Sequence, residues 1–513
     1  MTTVSVGTGP ISETELVAVA RHGAAIELTA QSLTAMADSR AVVEGLADDV
    51  EPHYGISTGF GALATKHIPV ERRAQLQRSL IRSHAAGAGP EIEREAIRSL
   101  MLLRLSTLAT GRTGVQVRTA QTLAALLNAG ITPVVREYGS LGCSGDLAPL
   151  SHVALTLIGE GEVRDATGTL MSTTAAFAAA GIEPITLAEK EGLALINGTD
   201  GMLGQLLLAC TDFELLLRTA DLTAAMSIEA MLGTVRVFAA DLHALRPQPG
   251  QALAAANMRA LLADSPIVAS HAGPDCTYVQ DAYSMRCAPQ VAGAGRDTLA
   301  HARLVAGYEL ASAVDNPVVT LDGRVESNGN FHGAPIGYVL DFLAIPVADL
   351  ASMSERRTDR LLDVARSRGL PPFLTDDAGV DSGHMIAQYT QAAIVSELKR
   401  LAVPASVDSI PSSAMQEDHV SMGWSAARKL RKAIDGLGRV LAVELLSAAR
   451  ALDLRAPLQP GPATGAVVSA LREQVAGPGP DRFLSPEIEA TYEFVRSGAA
   501  VAAAESALPQ PLL

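Results

Sequence analysis

Apolar residues recur at intervals of three and four along most of this chain, which is the spacing that places side chains on one face of an α-helix. Ser12-Glu-Thr-Glu15 precedes one such segment and predicts a capping box, in which the serine and the glutamate bind the free amides of the first turn. Ser485-Pro486 predicts an N-cap followed by proline at the first helical position. The pattern therefore indicates a mainly α-helical protein.

Short β-favouring segments lie mostly in the first third of the chain, as at residues 25–29 and 131–135. Beyond about residue 225, longer helical patterns are separated by proline and glycine breaks, at residues 246–250, 369–372 and 459–463.

We therefore expect a smaller mixed N-terminal region over residues 1–225 and a long-helix bundle over residues 226–513. Two glycine-rich loops, at residues 54–61 and 139–145, belong to the N-terminal region. The alanine-rich end from Gly498 to Leu513 is expected to finish in a frayed tail.

The composition and charge of the chain argue against several classes of function. The 513 residues are 48% hydrophobic, enough for a large core, and carry a formal charge of −15. Lysines and arginines are scattered among acids, which argues against nucleic acid and anionic membranes as partners. The apolar run at residues 342–348 lies between Asp341 and Asp349 and is too short to span a membrane. A soluble protein is expected.

Cysteine and histidine patterns give no sign of a metal site. The four cysteines include no C-x-x-C pair and the eleven histidines no H-E-x-x-H motif, so neither zinc nor a disulfide framework is predicted. The first ten residues lack the basic and apolar segments of a secretory signal. These observations predict a cytoplasmic protein.

The chemically most informative segment is Gly139-Ser-Leu-Gly-Cys143-Ser144-Gly145-Asp146. In a tightly packed loop, the Gly145 nitrogen can attack the carbonyl carbon of Cys143, and loss of two waters then leaves a methylidene-imidazolone. Glycine suits the attacking position because no Cβ crowds the approach. Read alone, however, the segment is equally well a flexible turn.

The longer run through His152 resembles the prosthetic-group loop of the aromatic amino acid ammonia-lyases, with Cys143 where most members carry alanine. The resemblance implies a methylidene-imidazolone formed from Cys143, Ser144 and Gly145, with no external cofactor and no metal. The side chain of Cys143 lies outside the ring atoms and is not expected to block cyclisation.

Tyr54-Gly-Ile-Ser-Thr-Gly-Phe-Gly61 also matches the family. A phenol in such a loop can accept a proton if its pKa is lowered, although a buried tyrosine with a satisfied hydroxyl is the simpler interpretation of the motif alone. The resemblance implies a mobile lid with Tyr54 as the base. The choice between Tyr54 and Tyr283 as the base stays open.

Ser83-His84 lies near the predicted C-terminus of a helix, where a histidine is more often structural. Within the family, this pair is typical of members that act on histidine, so we expect His84 to bind the substrate imidazole. Glu417, in the run Gln416-Glu417-Asp418, matches the same members and is expected to face the imidazole or the departing amine. By itself, this run would be a solvated helix start.

The resemblance adds further binding residues. Asn197 is expected to bind the substrate carboxylate or the imidazolone oxygen. Gln280, Tyr283 and Arg286 recur at three-residue spacing and would share one face if the segment is helical, with Arg286 on the substrate carboxylate.

Two apolar residues complete the expected site. Phe331 is expected near the prosthetic group, and Met385 is expected to contact the substrate ring. His384 stands where we expected phenylalanine, which affects local packing rather than the reaction.

Together these motifs imply a carbon–nitrogen lyase that converts L-histidine to trans-urocanate and ammonia. The family also implies a homotetramer in which each active site takes residues from more than one subunit. The nearest alternative keeps the chemistry and changes the substrate: a phenylalanine or tyrosine ammonia-lyase, or an aminomutase.

Two other classes fit less well. Ser412-Ser-Ala-Met415 is superficially similar to a loop of the fumarase and argininosuccinate lyase superfamily, but the proline, lysine and asparagine of that loop are absent. A helical scaffold whose loop never cyclises would leave the coincidence of Tyr54, Asn197 and Glu417 unexplained.

Overall fold

The computed structural model describes residues 3–47, 49, 52–273 and 279–513. Helices hold 58% of the residues and strands 6%, which confirms the prediction of a mainly α-helical protein. Seven of the nine described strands precede residue 173, as the β-favouring segments predicted.

The chain divides into two compact units, each built from three segments. The first unit comprises residues 1–208, 303–341 and 404–428, and the second comprises residues 209–302, 342–403 and 429–513. The predicted division near residue 225 concerns the order of regions along the sequence and stays a prediction.

The first unit contains eight complete described helices. They are α1 Glu13–Ala20, α2 Ala30–Ala47, α3 Arg73–His84, α4 Arg94–Ala109, α5 Val117–Asn128, α6 Leu147–Leu157, α7 Thr173–Ala180 and α8 Glu191–Ala194. Short 3₁₀ turns lie at Gly61–Leu63, Val70–Arg72 and Ser413–Met415. Helix α4 is its central element, because fourteen of its residues, from Ala96 to Ala109, are buried.

All described strands belong to the first unit and form four small sheets. The strands are β1 Val4–Val6, β2 Ile26–Leu28, β3 Ala88–Glu91, β4 Thr132–Pro133, β5 Arg136–Tyr138, β6 Glu162–Arg164, β7 Leu170–Ser172, β8 Val318–Val319 and β9 Val325–Glu326. Strands β1 and β2 pair in parallel, in the register Val4 to Ile26. The other pairs, β3–β5, β4–β6–β7 and β8–β9, are antiparallel.

Four long helices begin in one unit and end in the other. They are α9 Asp200–Ala230, α14 Ala288–Leu310, α15 Ala334–Leu362 and α17 Gly423–Asp453. The remaining described helices lie in the second unit: α10 Ala240–Ala244, α11 Pro249–Leu261, α12 Pro266–Ala269, α13 Tyr283–Arg286, α16 Met385–Leu401, α18 Pro462–Arg472, α19 Ser485–Arg496 and α20 Ala499–Glu505. Two 3₁₀ turns, Arg236–Phe238 and Pro372–Leu374, accompany them.

The apolar run at residues 342–348 lies within a longer helix, α15, than the sequence indicated. The helix continues through Asp341 and Asp349, so the apolar stretch is longer than the run between them. Among the described helices it alone has the length and composition to cross a membrane. However, 67% of its most apolar window is buried inside the protein, which is the behaviour of a core helix.

The helix caps test the sequence signals directly. Ser12 forms the predicted capping box with Glu15, and both of its hydrogen bonds are present. Ser485 is instead the first residue of α19, which makes Leu484 the N-cap and leaves no side-chain cap bond. The prediction at α19 was therefore wrong by one residue.

The C-terminus is more ordered than expected. The Leu513 amide donates to Asn257 Oδ1 at 2.9 Å, and its carbonyl accepts from Asn257 Nδ2 at the same distance. Leu512 is buried. The expected frayed tail is wrong, because these bonds fix the last residues to α11.

Buried cations in the first unit fix the segment that leads to Asn197. Arg104, on α4, donates to the Ala194 carbonyl at 3.0 Å and to the Val314 carbonyl at 2.9 Å. It also pairs with Asp200 at 3.1 Å. One guanidinium thus joins three chain segments, which suits its planar set of donors.

Lys190 forms a second buried contact in the same region. Its ammonium lies 2.6 Å from Asp315 and 2.7 Å from the Thr113 carbonyl, and both charged side chains are fully buried. Lys190 is the N-cap of α8, in the left-handed conformation at φ +69°. Removing one partner of a buried ion pair leaves the other charge uncompensated.

We expect Lys190→Met to lower the free energy of unfolding by about 3–5 kcal/mol, because Asp315 would remain buried without its cation. Chemical unfolding measures this loss. The matched control is Asp322→Asn, which breaks a solvent-exposed pair with Arg324 and should change the unfolding midpoint very little. A Lys190→Met protein as stable as this control would contradict the account.

Candidate active site

The loop that carries Cys143, Ser144 and Gly145 is packed too tightly for a flexible turn. Gly145 adopts φ +74°, and a Cβ at this position would lie 2.1 Å from the carbonyl oxygen of Gly198. The next amide, of Asp146, donates to that same oxygen at 2.7 Å. Only glycine satisfies both the conformation and the close approach. The interpretation as a tightly packed loop is thus supported over that of a flexible turn.

A second glycine holds the other end of the loop. The Gly142 carbonyl accepts hydrogen bonds from Ser421 Oγ at 2.9 Å and from the Gly333 amide at 3.0 Å. The Met422 amide donates to the Leu141 carbonyl at 2.9 Å. Two segments that are distant in the sequence, at Gly333 and at residues 421–422, therefore fix the backbone around Cys143.

Asp146 supports the loop from beneath. Its side chain is fully buried and accepts hydrogen bonds from Ser140 Oγ at 2.9 Å and from the Met202 amide at 2.8 Å. Burial raises the pKa of Asp146 to about 7, although these donors favour the charged form. These contacts let the carboxylate orient backbone groups around the loop.

Ser144 lies between two side chains that the sequence singled out. Its hydroxyl donates to Glu417 Oε1 at 2.8 Å, and its carbonyl oxygen accepts from Asn197 Nδ2 at 2.7 Å. The Cys143 thiol donates to the other oxygen of Glu417, Oε2, at 3.2 Å. The structure thus brings Asn197 and Glu417 together at the predicted reactive segment.

Glu417 occupies a short bridged turn rather than a helix start. Ser412 and Glu417 exchange backbone hydrogen bonds, and Ser412 Oγ donates to Glu417 Oε2 at 2.8 Å. The intervening residues Ser413, Ala414 and Met415 all have positive φ. Such consecutive left-handed residues are costly and persist only where the surroundings hold them, as around functional sites.

Hydrogen bonding keeps Glu417 ionised. Burial favours the neutral acid, but donors from Ser144, Ser412 and Cys143, together with nearby His84, hold the pKa of Glu417 below its ordinary value. Burial raises the pKa of the Cys143 thiol to about 12, and the charge of Glu417 adds to this effect. The thiol therefore stays protonated and acts as a donor.

His84 is the last residue of α3, as predicted. Its ring Nδ1 lies 3.0 Å from Ser83 Oγ, and the ring is half-buried. Burial lowers the pKa of His84, while Glu417 partly opposes this effect. A neutral imidazole has one donor and one acceptor nitrogen, and so can match another imidazole.

Tyr54 lies in the same unit as Glu417, and the charge of Glu417 acts on the Tyr54 hydroxyl. Its hydroxyl accepts a hydrogen bond from the Gly61 amide at 3.2 Å, and its ring packs edge-on against Phe60. Burial raises the pKa of Tyr54, and the charge of Glu417 contributes to the rise. The lowered pKa that a base requires is absent from this arrangement.

Phe331 is half-buried in the turn that precedes α15. Two residues later, the Gly333 amide bonds to Gly142, which ties this turn to the reactive loop. Next to Phe331, the His332 ring stacks on His419 with centroids 5.5 Å apart and an interplanar angle of 5°.

Four predicted site residues belong to the second unit. Gln280 precedes α13 and is not helical, so the prediction that it shares a helix face with Tyr283 and Arg286 was wrong. The α13 helix is only four residues long, and the Arg286 guanidinium lies 4.7 Å from the centre of the Tyr283 ring. Arg286 Nε is buried and has no hydrogen-bond partner among the described residues.

Met385 is the first residue of α16 and is half-buried. Its neighbour His384 is buried, with Nδ1 3.0 Å from Ser447 Oγ. Burial lowers the pKa of His384 to about 3, so its ring is neutral and fills the position expected for phenylalanine. Cys143 and Cys287 form no disulfide with any described residue, and Cys276 lies outside the described residues.

Sequence reasoning missed three residues that shape the site. Gly198 packs against Gly145, Ser421 holds Gly142, and Ser412 binds Glu417. Gly198 had a signal, since it follows Asn197 directly. Ser421 had none, and the run that begins at Ser412 indicated only a superficial similarity to the fumarase superfamily, because neither serine has a spacing that points to its distant partner.

The chain matches the family model described as aromatic amino acid lyase over residues 11–473. It is 66% identical over 507 residues to the histidine ammonia-lyase of Streptomyces avermitilis, covering 99% of each chain.

Solved structures agree with this match. The histidine ammonia-lyase of Trypanosoma cruzi is 38% identical with a TM-score of 0.91, covering 99% of this chain and 96% of its own. A tyrosine aminomutase from Streptomyces globisporus is also 38% identical, with a TM-score of 0.94 over the full length of both chains. The chain therefore belongs to the aromatic amino acid lyase family.

Proposed function

We propose that this protein is a histidine ammonia-lyase, a carbon–nitrogen lyase that converts L-histidine to trans-urocanate and ammonia. The observation that carries the proposal is the contact of the ionised Glu417 carboxylate with Ser144, beside the neutral imidazole of His84. The similarity to curated histidine ammonia-lyases over nearly the whole chain supports the same substrate.

The prosthetic group would form from Cys143, Ser144 and Gly145. The Gly145 nitrogen bonds to the Cys143 carbonyl carbon, and the former carbonyl oxygen leaves as water with the amide protons of Gly145 and Ser144. The Ser144 hydroxyl and Cα proton leave as the second water. The residues present fit this ring, because the Gly198 carbonyl occupies the space of a Cβ on Gly145 and presses the loop into a turn.

The methylidene-imidazolone would supply an electrophile that binds the substrate amine and makes it a better leaving group. Asn197 would stabilise that electrophile, because its amide donates to the Ser144 carbonyl oxygen, which becomes the oxygen of the ring. Of the two roles expected for Asn197, this contact supports the imidazolone oxygen rather than the substrate carboxylate. Hydrogen bonds aimed at developing negative charge are a large source of catalysis.

Substrate recognition would combine two groups at this loop. His84 offers a neutral imidazole to the substrate ring, and Glu417 offers a carboxylate oxygen to a substrate nitrogen. Phenylalanine and tyrosine have no ring nitrogen for these groups to bind, so their burial beside Glu417 would leave one oxygen of this carboxylate without a donor from the substrate. This argument favours histidine over the aromatic substrates of the alternative.

Other roles remain part of the proposal. Arg286 would bind the substrate carboxylate, Tyr283 and Gln280 would line the prosthetic group, and Met385 and Phe331 would contact ring systems. Tyr54 would be the base, provided that assembly and substrate lower the raised pKa it has in this chain. We also propose a cytoplasmic homotetramer, as the family resemblance implies.

We expect Ser144→Ala to lose nearly all turnover, on the order of a thousandfold or more, because no methylidene can form without the hydroxyl. The checks are urocanate absorbance and intact mass. The measured mass of the wild-type protein should be two waters below the mass calculated from its sequence. The variant should retain the methyl group of the introduced alanine. Substantial histidine turnover by Ser144→Ala would refute the electrophile.

Gly145→Ala should prevent cyclisation, because its Cβ would overlap the Gly198 carbonyl at 2.1 Å. An intact-mass measurement should show that the Gly145→Ala protein has lost neither water. The matched control is Gly168→Ala: it also has positive φ, at +88°, but nothing lies within 4 Å of its Cβ. The control should lose only about 1–2 kcal/mol of stability and mature normally. Normal maturation of Gly145→Ala would show that close packing is dispensable.

His84→Leu should lower kcat/KM for histidine by about 10- to 100-fold, since a substrate imidazole would lose a hydrogen-bond partner. A panel of histidine, phenylalanine and tyrosine, followed by urocanate, cinnamate and coumarate absorbance, measures the change. In this variant, activity on phenylalanine and tyrosine should not fall along with activity on histidine. The exposed His22 provides the control variant His22→Leu. A wild-type preference for phenylalanine or tyrosine would favour the alternative.

A further inference from the structure

The two oxygens of the Glu417 carboxylate have different partners. Among the described residues, Oε1 accepts one hydrogen bond, from the Ser144 hydroxyl at 2.8 Å. Oε2 accepts two, from Ser412 Oγ at 2.8 Å and from Cys143 Sγ at 3.2 Å. The side chain is therefore held mainly through Oε2.

Maturation would affect these partners unequally. The Ser144 hydroxyl leaves as water, so the partner of Oε1 is lost. The Cys143 thiol stays, because the ring uses only the carbonyl carbon of that residue. Ser412 is outside the ring altogether. After cyclisation, Oε1 would thus be open beside the former Ser144 Cβ, while Oε2 would keep both donors.

Ser412 is well placed to act as a fixed donor. It exchanges backbone hydrogen bonds with Glu417 across the bridged turn, and its own φ of −136° is ordinary extended backbone. The strained left-handed residues lie between the two partners, at positions 413–415. The turn therefore presents the Ser412 hydroxyl and the Glu417 carboxylate to each other in one orientation.

Resting on the function proposed above, we infer that Ser412 and Cys143 are positioning residues that anchor Oε2 of Glu417, so that maturation frees Oε1 to accept a hydrogen bond from a nitrogen of histidine. In this arrangement, the Ser144 hydroxyl holds the place of the substrate nitrogen until it leaves. Charge-assisted hydrogen bonds of this kind are strong and directional.

The anchors differ in expected strength. A hydroxyl is a better donor than a thiol, and Ser412 is closer to Oε2 than Cys143 is. Losing Ser412 should allow the carboxylate to rotate away from the substrate, whereas losing Cys143 should weaken its position less. Losing both should have the largest effect.

The test compares Ser412→Ala, Ser412→Thr and Cys143→Ala in the full-length protein, after intact mass has shown the loss of two waters in each. We expect kcat/KM for histidine to fall about tenfold in Ser412→Ala and about threefold in Cys143→Ala, and further in the double variant. Ser412→Thr restores the hydroxyl and should recover activity to within about twofold.

The matched control is Ser5→Ala. Ser5 Oγ also donates to a glutamate, Glu27 Oε1 at 2.7 Å, but both residues are exposed, on strands β1 and β2. This variant should retain wild-type kinetics. If Ser412→Ala behaves like Ser5→Ala while the wild-type protein deaminates histidine, the inference fails and the proposed function stands. Absence of histidine turnover in wild-type protein would instead refute the proposed function.

A double-variant cycle separates positioning from a structural role. In a Glu417→Gln background there is no carboxylate to position, so Ser412→Ala should change kcat/KM by less than about twofold further. A full tenfold loss in that background would show that Ser412 only supports the turn, and would overturn the inference.

A binding measurement gives a readout that does not depend on turnover. In the Ser144→Ala background Oε1 is open and no prosthetic group forms, so histidine binding can be followed by calorimetry. Adding Ser412→Ala should weaken histidine binding about tenfold, while adding Ser5→Ala should not change it. Equal affinities in the two doubly substituted proteins would contradict the inference.

Discussion

The close approach of Gly145 to Gly198 is the constraint on which the site depends. A backbone that leaves no room for a Cβ, at a positive φ, forces the chain between Cys143 and Gly145 into a compact turn. The other contacts reinforce this geometry: Gly142 is bound by Ser421 and Gly333, and Asp146 is fixed beneath the loop. Strain in the reactive segment is possible because the first unit surrounds it with satisfied hydrogen bonds.

The electrostatics of the site follow from partial burial. Glu417 remains ionised because three donors and a neighbouring imidazole outweigh the effect of burial. The same carboxylate helps to keep the Cys143 thiol protonated and raises the pKa of Tyr54. One negative charge thus adds to burial in keeping Cys143 and Tyr54 protonated, and a nitrogen-rich substrate is the natural partner for it.

Much of this arrangement was predictable from local sequence. The 3.6-residue periodicity predicted the helical class, and the Ser12 capping box predicted the start of α1 to the residue. Asn197 and Glu417 were found through the family resemblance, because their local runs alone would indicate an ordinary turn and a solvated helix start. Ser412 and Ser421 were not, since their roles arise from contacts over long sequence separations. Gln280 was misplaced because three-residue spacing implies a common face only if a helix forms, and α13 begins after it.

In the proposed mature protein, three consecutive residues have condensed and Glu417 has one anchored and one open oxygen. An atomic-resolution crystal structure of active protein measures both features at once. We expect a closed ring at residues 143–145, with Glu417 Oε2 still bonded to Ser412 and Cys143 and no protein donor on Oε1. An open, unmodified backbone in fully active crystals would contradict it.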